Sequence, residues 1–244
     1  MSFSVLAPSF VELSARSGFS LLDGASNPED HASRAAELSM PALALTDTFD
    51  LGGAVRFTRA CEIAGVEPII GAEVRIEGIG PGPRPGAGPP GPCPMLRLVL
   101  LCENRTGYHH LATIVNEARL AGQRGFPRTD LHRIAARADG LVCLLMADAE
   151  DPETPGVTAA IRRLGVLFDG RLFVALEHHG LPADARRCAR WIRFAEGRGL
   201  PWVPVNAPRY ARPRDRIVCD VLTCLKHGVT LDEAGDRLRP NAEW

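Results

Sequence analysis

Ser14 and Arg16 lie two residues apart in the segment FVELSARSGFSLLDGAS, residues 10–26. The segment predicts a short strand that runs into a glycine-punctuated loop. On a strand this spacing points both side chains to one face. Arg16 would then place a large cation where a folded protein normally buries apolar groups, so the sequence raises the question of what balances its charge.

Three carboxylates, those of Asp23, Asp47 and Glu73, could balance the charge of Arg16. Asp23 lies in the tripeptide LDG and is also an ordinary turn residue. Asp47 could simply end a strand and cap the segment that follows it. Glu73 falls near the end of a strand of the buried type, where an unpaired carboxylate is costly, so we expect it to have a partner.

The histidines do not predict a metal site by themselves. His109-His110 and His178-His179 are adjacent pairs, and adjacent side chains face opposite sides of a strand or diverge by about 100° on a helix. His31 lies in a helical pattern without an evident partner. The sequence contains no phosphate-binding P-loop, no dinucleotide-binding glycine motif and no serine-hydrolase elbow.

Short apolar runs alternate with helical patterns along the chain. We predict seven strands, at residues 10–14, 42–46, 68–74, 96–102, 141–146, 172–177 and 202–206. We predict helices at residues 28–38, 53–64, 108–120, 183–196 and 215–226. Several of the strands are continuously apolar, as expected for parallel strands that are buried on both faces. This alternation predicts an α/β fold of βα units with right-handed crossovers, and seven strands favour a closed barrel over an open sheet.

One segment interrupts this pattern. Residues 78–94 are almost all glycine and proline, so they cannot supply the hydrogen bonds of a strand or helix. We expect a disordered surface insertion within a single domain that spans residues 1–244.

Composition limits the classes of function. The chain of 244 residues carries 28 basic and 29 acidic residues, for a formal charge of −1. This balance provides no field over the whole domain that would gather nucleic acid or an anionic membrane. The sequence has no apolar run of about 18 residues and no C-x-x-C pair among its scattered cysteines. Its first ten residues lack a basic segment and a long apolar core, so we expect no secretory signal. A cytoplasmic protein is therefore expected.

Five motifs, in order, resemble the PHP domain (polymerase and histidinol phosphatase). They are E-L-x-x-x-S-x-F-S-x-L-D-G-A-S at residues 12–26 and the segments at 41–57, 65–74, 104–119 and 205–243. More narrowly, they resemble the N-terminal PHP domain of error-prone bacterial C-family DNA polymerases, which are similar to the DNA polymerase III alpha subunit. The resemblance covers nearly the whole chain apart from the glycine- and proline-rich segment.

This resemblance implies a PHP-type (β/α)7 distorted TIM-like barrel whose strand ends carry metal ligands. In active members the ligands bind two or three ions, often zinc or manganese, that hydrolyse phosphoesters. Such a cluster lowers the pKa of bound water and stabilises both the attacking and the leaving oxygen.

The sequence departs from the family pattern at five ligand positions. The first motif of the family places histidines at Ser14 and Arg16, and the second places a histidine at Thr48. The last motif places an aspartate and a histidine at Ala207 and Arg209. None of the five residues present is a metal ligand of consequence, and arginine cannot be deprotonated to become one.

Asp23, Asp47 and Glu73 are the acids that remain of the implied site. If any ion binds, we expect it among these three carboxylates, but the two fixed cations nearby would repel it. We therefore expect no cofactor, with zinc or manganese as the alternative, and no catalytic residue. Our hypothesis is that Arg16, Arg209 or both pair with one of the three acids, because a guanidinium fork matches a carboxylate.

Two functions follow from the resemblance. The parent family consists of DNA-directed DNA polymerases, in which a separate palm domain carries nucleotidyl transfer. This chain, which lacks that palm, is expected to support the polymerase or to dock partners such as other polymerase domains or replication and repair proteins. DNA contact would be indirect, and no membrane contact is expected. The alternative is a PHP-type metal-dependent phosphoesterase or 3′–5′ exonuclease; a gene fragment without an independent role stays open.

Overall fold

The computed structural model describes residues 10–76, 95–122, 125–149 and 151–239. The predicted insertion at 78–94 lies outside the described residues. The chain divides into two compact units. Unit 1 contains the described parts of residues 1–47, 52–70 and 207–244, and unit 2 contains residues 48–51 and the described parts of 71–206.

Seven strands in the described residues form a sheet whose order follows the chain, β1-β2-β3-β4-β5-β6-β7. Their bounds are β1 Glu12–Ala15, β2 Ala42–Leu45, β3 Glu67–Ile76, β4 Leu96–Cys102, β5 Leu141–Met146, β6 Leu172–Glu177 and β7 Trp202–Val205. In unit 1, β1 pairs with β2 and β2 with the first half of β3, all parallel. The rest of β3 and strands β4 to β7 belong to unit 2. All seven predicted strands are present, and the predicted α/β fold is confirmed.

One expectation about the sheet is wrong. Strand β4 runs antiparallel to both β3 and β5, whereas β5, β6 and β7 are mutually parallel. The sequence contains no helical pattern between β3 and β4, and an antiparallel pair does not need the βα crossover that a parallel pair requires. The beginning of β4 therefore lies at the same edge as the ends of β5 and β6.

Eight α-helices occur in the described residues. Their bounds are α1 Pro28–Glu37, α2 Ala54–Ala64, α3 Arg105–Ala121, α4 Leu131–Ala135, α5 Pro155–Leu167, α6 Pro182–Glu196, α7 Arg216–His227 and α8 Leu231–Ala234. Helix α1 begins after Asn27 with proline in its first turn, as predicted. Helix α7 ends at Gly228, whose φ of 65° allows the left-handed C-cap. The sequence analysis missed α4, α5 and α8, although α5 buries Val157, Ala160, Ile161 and Leu164 at helical spacing.

Each unit has its own apolar core. In unit 1, Phe57 and Cys61 of α2 pack with Leu43 and Leu45 of β2 and with Ala32 of α1. The larger core of unit 2 includes alternate residues of β3, β4, β5 and β6 and the buried faces of α3, α5 and α6. Among the described residues, no helix combines the length and hydropathy that crossing a membrane would require.

Candidate functional site

A tight loop after β1 positions Asp23. The backbone N–H of Gly18 donates to the Ser26 carbonyl at 2.8 Å, and the N–H groups of Asp23 and Gly24 both donate to Ser20 at 2.9 Å. Gly24 is required here, because a Cβ at this position would lie 1.8 Å from the carbonyl oxygen of Ser17. The loop therefore closes on itself and holds Asp23 in a fixed place.

Asp23 lies between two arginines, and we call Arg16, Asp23 and Arg209 the Asp23 cluster. Arg16 Nη1 donates to Asp23 Oδ2 at 2.9 Å. Arg209 Nε donates to Asp23 Oδ1 at 2.7 Å. The side chain of Arg16 is fully buried, that of Arg209 is 9% exposed and that of Asp23 is 23% exposed. The hypothesis is that Arg16, Arg209 or both pair with one of the three acids; in the structure both arginines contact Asp23.

The electrostatics of the Asp23 cluster follow from two cations on one anion. Burial alone would raise the pKa of Asp23, but the charges and hydrogen bonds of Arg209 and Arg16 hold it well below its ordinary value. Burial, together with repulsion from Arg16, lowers the pKa of Arg209 to about 10. Asp23 is therefore charged at neutral pH, and the two guanidinium groups compete for it.

Asp47 has different partners. It follows β2, is 2% exposed, and accepts hydrogen bonds at 2.7 Å from Ser17 N–H, Ser17 Oγ and Ser20 Oγ. These donors occupy both carboxylate oxygens. Ser17 and Ser20 belong to the first PHP-like motif, but the sequence analysis assigned them no role, since hydroxyl donors for an acid 27 to 30 residues away cannot be read from local spacing.

Buried polar groups also lie at the start of β1 and after β7. Glu12 Oε1 accepts from the backbone N–H of Ser14 at 2.8 Å and from that of Ala207 at 3.4 Å. Ser14 Oγ is buried and has no hydrogen-bond partner within the described ranges. Ala207 has a φ of 48°, a left-handed conformation that is uncommon for alanine. Glu12 is a buried acid that the sequence analysis missed.

His31 on α1 contacts the same region of unit 1. Its Nε2 lies 2.9 Å from the backbone carbonyl of Arg16, a partner that nothing in the sequence indicated. Its side chain is buried, and burial lowers its pKa to about 4. The imidazole is therefore neutral at pH 7 and donates to the carbonyl at the end of β1.

Glu73 belongs to a second cluster, in unit 2. Glu73 is fully buried on β3; its Oε1 accepts from Arg75 at 3.3 Å and its Oε2 from Arg97 at 3.1 Å. The expectation that this buried carboxylate has a partner is confirmed. Thr48, also in unit 2, forms an isolated parallel bridge with Glu73.

Arg97, near the beginning of β4, gathers three carboxylates, and we call Arg97, Glu73, Asp148 and Glu177 the Arg97 cluster. Arg97 binds Asp148 through a two-pronged contact, Nε to Oδ2 and Nη2 to Oδ1, both at 2.5 Å. Its Nη2 also donates to Glu177 Oε1 at 2.8 Å. The sequence analysis missed this cluster, although a cation inside the apolar run LRLVLLC and an acid at the end of LFVALE were available as signals.

The contacts do not suit a divalent ion at the implied ligand positions. Both oxygens of Asp23 bind guanidinium groups, those of Asp47 bind hydroxyl and N–H donors, and those of Glu73 bind Arg75 and Arg97. Over residues 10–76, 95–122, 125–149 and 151–239, no three or more His, Cys, Asp or Glu side chains are grouped so that they could hold a metal ion. We therefore derive no metal-dependent step for this chain.

The family profile described as PHP domain matches residues 12–198, which is most of the chain. With its seven strands in sequence order and its motifs at the ends of β1, β2 and β3, the chain belongs to the PHP domain family.

Its curated relatives are bacterial DNA polymerases. The chain is 36% identical over 248 residues to an error-prone DNA polymerase of Anaeromyxobacter sp. (strain K). The aligned region covers 97% of this chain and 20% of that polymerase. It is 35% identical to an error-prone DNA polymerase of Mycolicibacterium paratuberculosis and 30% identical to the DNA polymerase III subunit alpha of Caulobacter vibrioides. The chain spans about a fifth of the length of these relatives.

The fold has a solved counterpart. A Bifidobacterium adolescentis protein named as a metal-dependent phosphoesterase superposes with a TM-score of 0.60, covering 85% of this chain and 90% of that protein at 14% identity. This similarity supports the PHP-type α/β fold predicted from the sequence.

Proposed function

We propose that this chain is the PHP domain of an error-prone, DNA polymerase III alpha-like protein in which the metal site has become degenerate. In this proposal the domain hydrolyses no phosphoester and acts in the cytoplasm as a structural and docking module for the polymerase. Its partners would be other polymerase domains or replication and repair proteins, and its contact with DNA would be indirect.

The observation that carries the proposal is the occupation of Asp23. Active PHP sites need carboxylate oxygens that are free to bind an ion, whereas both Asp23 oxygens bind arginines that stand at histidine positions of the family pattern. A fixed guanidinium cannot be a metal ligand and repels a divalent ion at close range. The loss of the remaining histidine and aspartate positions at Ser14, Thr48 and Ala207 supports the same conclusion.

Helix α7 supports a docking role. Four large apolar residues on it are at least 41% exposed: Ile217, Val218, Val221 and Leu225. A helix that is apolar on most of its circumference is normally buried, and contiguous exposed apolar surface marks an interaction site. Because relatives of the chain are about five times longer, we propose that the remaining part of the polymerase polypeptide packs on this face of α7.

Hydrolysis is the decisive test of the proposal. The purified chain is incubated with bis-p-nitrophenyl phosphate and with a 3′-labelled single-stranded oligonucleotide, with Mn²⁺ or Zn²⁺ added and the metal content of the protein measured. We expect no turnover above buffer and no stoichiometric metal. Turnover that requires Asp47, shown by its loss in Asp47→Ala, would favour the phosphoesterase alternative and overturn the proposal.

A matched variant restores the family pattern at the changed positions. It carries Ser14→His, Arg16→His, Thr48→His, Ala207→Asp and Arg209→His. If the substitutions at these positions are what abolish metal binding, this variant should bind Mn²⁺ or Zn²⁺ more tightly than the natural chain by at least about tenfold.

The docking face is tested in a chimera. The chain replaces the matching fifth of the Anaeromyxobacter polymerase, with and without Val221→Glu and Leu225→Glu. These substitutions should leave the thermal midpoint of the isolated chain unchanged, because the side chains are exposed, and should lower the soluble yield and the midpoint of the chimera. Ile63→Glu, at a more exposed apolar site on α2, is the control; equal effects of both changes would contradict docking on α7.

A further inference from the structure

Strand polarity brings Arg97 to its acids. Since β4 is antiparallel to β5, Leu98 pairs with a residue near the end of β5, so the preceding residue, Arg97, lies at that edge. Strand β6 ends at the same edge because it is parallel to β5. Asp148 lies two residues beyond β5 and Glu177 is the last residue of β6. Glu73 comes from β3, the other neighbour of β4. The guanidinium of Arg97, on β4, therefore contacts acids on β3, just after β5 and at the end of β6.

The charge balance of this arrangement favours a fixed cation. Three carboxylates contact Arg97, whereas Arg75 contacts Glu73 alone among them. Glu73 is fully buried and Glu177 is 12% exposed, so their mutual repulsion is poorly screened by water. Burial alone would lower the pKa of Arg97, but the hydrogen bond to Asp148 and the charges of Glu177, Asp148 and Glu73 hold it above its ordinary value.

We propose that Arg97, on β4, is the built-in cation of unit 2 and takes the place of a divalent ion by holding together acids on or next to three other strands, β3, β5 and β6. All three guanidinium nitrogens are used: Nε on Asp148, Nη1 on Glu73, and Nη2 on Asp148 and Glu177. Such a fork can satisfy several carboxylates at once, which a lysine ammonium on a flexible stem does less well. This inference goes beyond the proposed function, because it holds whether or not the chain supports a polymerase.

The first experiment compares Arg97→Met with a variant that also neutralises two acids, Arg97→Met/Asp148→Asn/Glu177→Gln. Thermal unfolding midpoints are measured at pH 7.5. Loss of Arg97 alone should lower the midpoint by about 10 °C, because it leaves neighbouring buried carboxylates without the cation that balances them. The triple variant should recover at least half of this loss. Arg75→Met, which removes a half-exposed arginine from Glu73 only, should lower the midpoint by about 2 °C or less.

The second experiment adds Mn²⁺ alone to the same proteins. With the guanidinium removed, the carboxylate oxygens that contact Arg97 could instead serve as hard oxygen ligands. Millimolar Mn²⁺ should raise the midpoint of Arg97→Met by several degrees, or restore its folding if it is unfolded without metal, and should leave the natural chain and the triple variant unchanged.

The outcomes separate the possibilities. An Arg97→Met protein as stable as the natural chain would overturn the inference. So would a triple variant that is as unstable as Arg97→Met, because the loss would then come from packing of the arginine stem. If Mn²⁺ neither stabilises nor refolds Arg97→Met, a divalent ion cannot bind in place of the guanidinium. That result would also overturn the inference that Arg97 takes the place of a metal ion.

Discussion

The Asp23 cluster of unit 1 and the Arg97 cluster of unit 2 have opposite stoichiometry. In unit 1 two arginines bind one aspartate, and in unit 2 one arginine binds three carboxylates. The pKa values follow this difference. Repulsion from Arg16 adds to burial in lowering the pKa of Arg209, whereas the acids around Arg97 hold its pKa above the ordinary value.

The ratio of cations to anions predicts which residue matters most for the stability of each cluster. A buried ion pair is costly to break when one charge is left without compensation. In the Asp23 cluster the scarce charge is the anion, so loss of Asp23 leaves two buried cations facing each other. In the Arg97 cluster the scarce charge is the cation, so acids there can be removed one at a time at lower cost. In the Asp23 cluster, Arg16 and Arg209 stand at positions where the family resemblance implies histidines.

The largest effect is expected from Asp23→Asn. This change should lower the free energy of unfolding by about 3–4 kcal/mol at pH 7, because it leaves Arg16 and Arg209 buried without their shared counter-charge. Asp148→Asn, the matched change at a 41% exposed acid of the Arg97 cluster, should cost about 1 kcal/mol or less. Urea unfolding at pH 7 measures the free energy of unfolding of both variants. Equal losses would contradict the proposed difference between the Asp23 cluster and the Arg97 cluster.

The same substitution has a pH signature. The folded pKa of Asp23 lies below its ordinary value of 3.8, so its contribution to stability is present above about pH 4 and is lost as the pH falls further. The natural chain should therefore lose its advantage over Asp23→Asn in acid.

A second pH effect should come from His31. Its folded pKa of about 4 is lower than its ordinary value of 6.5. Between these values the unfolded chain binds a proton that folded His31 does not, so stability should fall by up to about 3 kcal/mol as the pH drops from 6.5 to 4. His31→Gln, which keeps a donor for the Arg16 carbonyl, should flatten this part of the curve. An unchanged slope in urea unfolding from pH 4 to 7 would contradict the assignment.

A smaller loss is expected for Arg209→Met. Asp23 keeps its contact with Arg16, and removal of Arg209 relieves the repulsion between the two guanidinium groups. We expect the free energy of unfolding to fall by about 1–2 kcal/mol, less than for Asp23→Asn. If Arg209→Met is the more damaging change, then the anion is not the scarce charge in unit 1.

The smallest predicted effect is a gain, in the segment that carries Arg209. Ala207 has a φ of 48°, a region in which glycine avoids the steric cost that alanine bears. Ala207→Gly should raise the free energy of unfolding by about 0.5–1 kcal/mol. Ala211→Gly, at a buried alanine without positive φ, should lower it by a similar amount. Chemical denaturation of the two variants side by side provides the check.

The sequence predicted the elements of the fold well because their signals are local. Short apolar runs located all seven strands, and caps such as Asn27 and Gly228 marked the ends of helices. The direction of β4 was not predicted, since it depends on a connection without a helical pattern. Helix α5 was missed although its apolar spacing is regular.

For the candidate site, the sequence by itself determined which residue types stand at the implied ligand positions, and hence that cations and small residues occur there. Only the tertiary structure decided the partners. Arg16 and Arg209 meet at Asp23 although Asp47 and Glu73 were equally open, and Arg97 reaches acids that lie 24 to 80 residues away in the chain. The physical reason is that propensity and periodicity act over a few neighbours, whereas ion-pair geometry is set by strand order and strand direction, which residue spacing along the chain does not record.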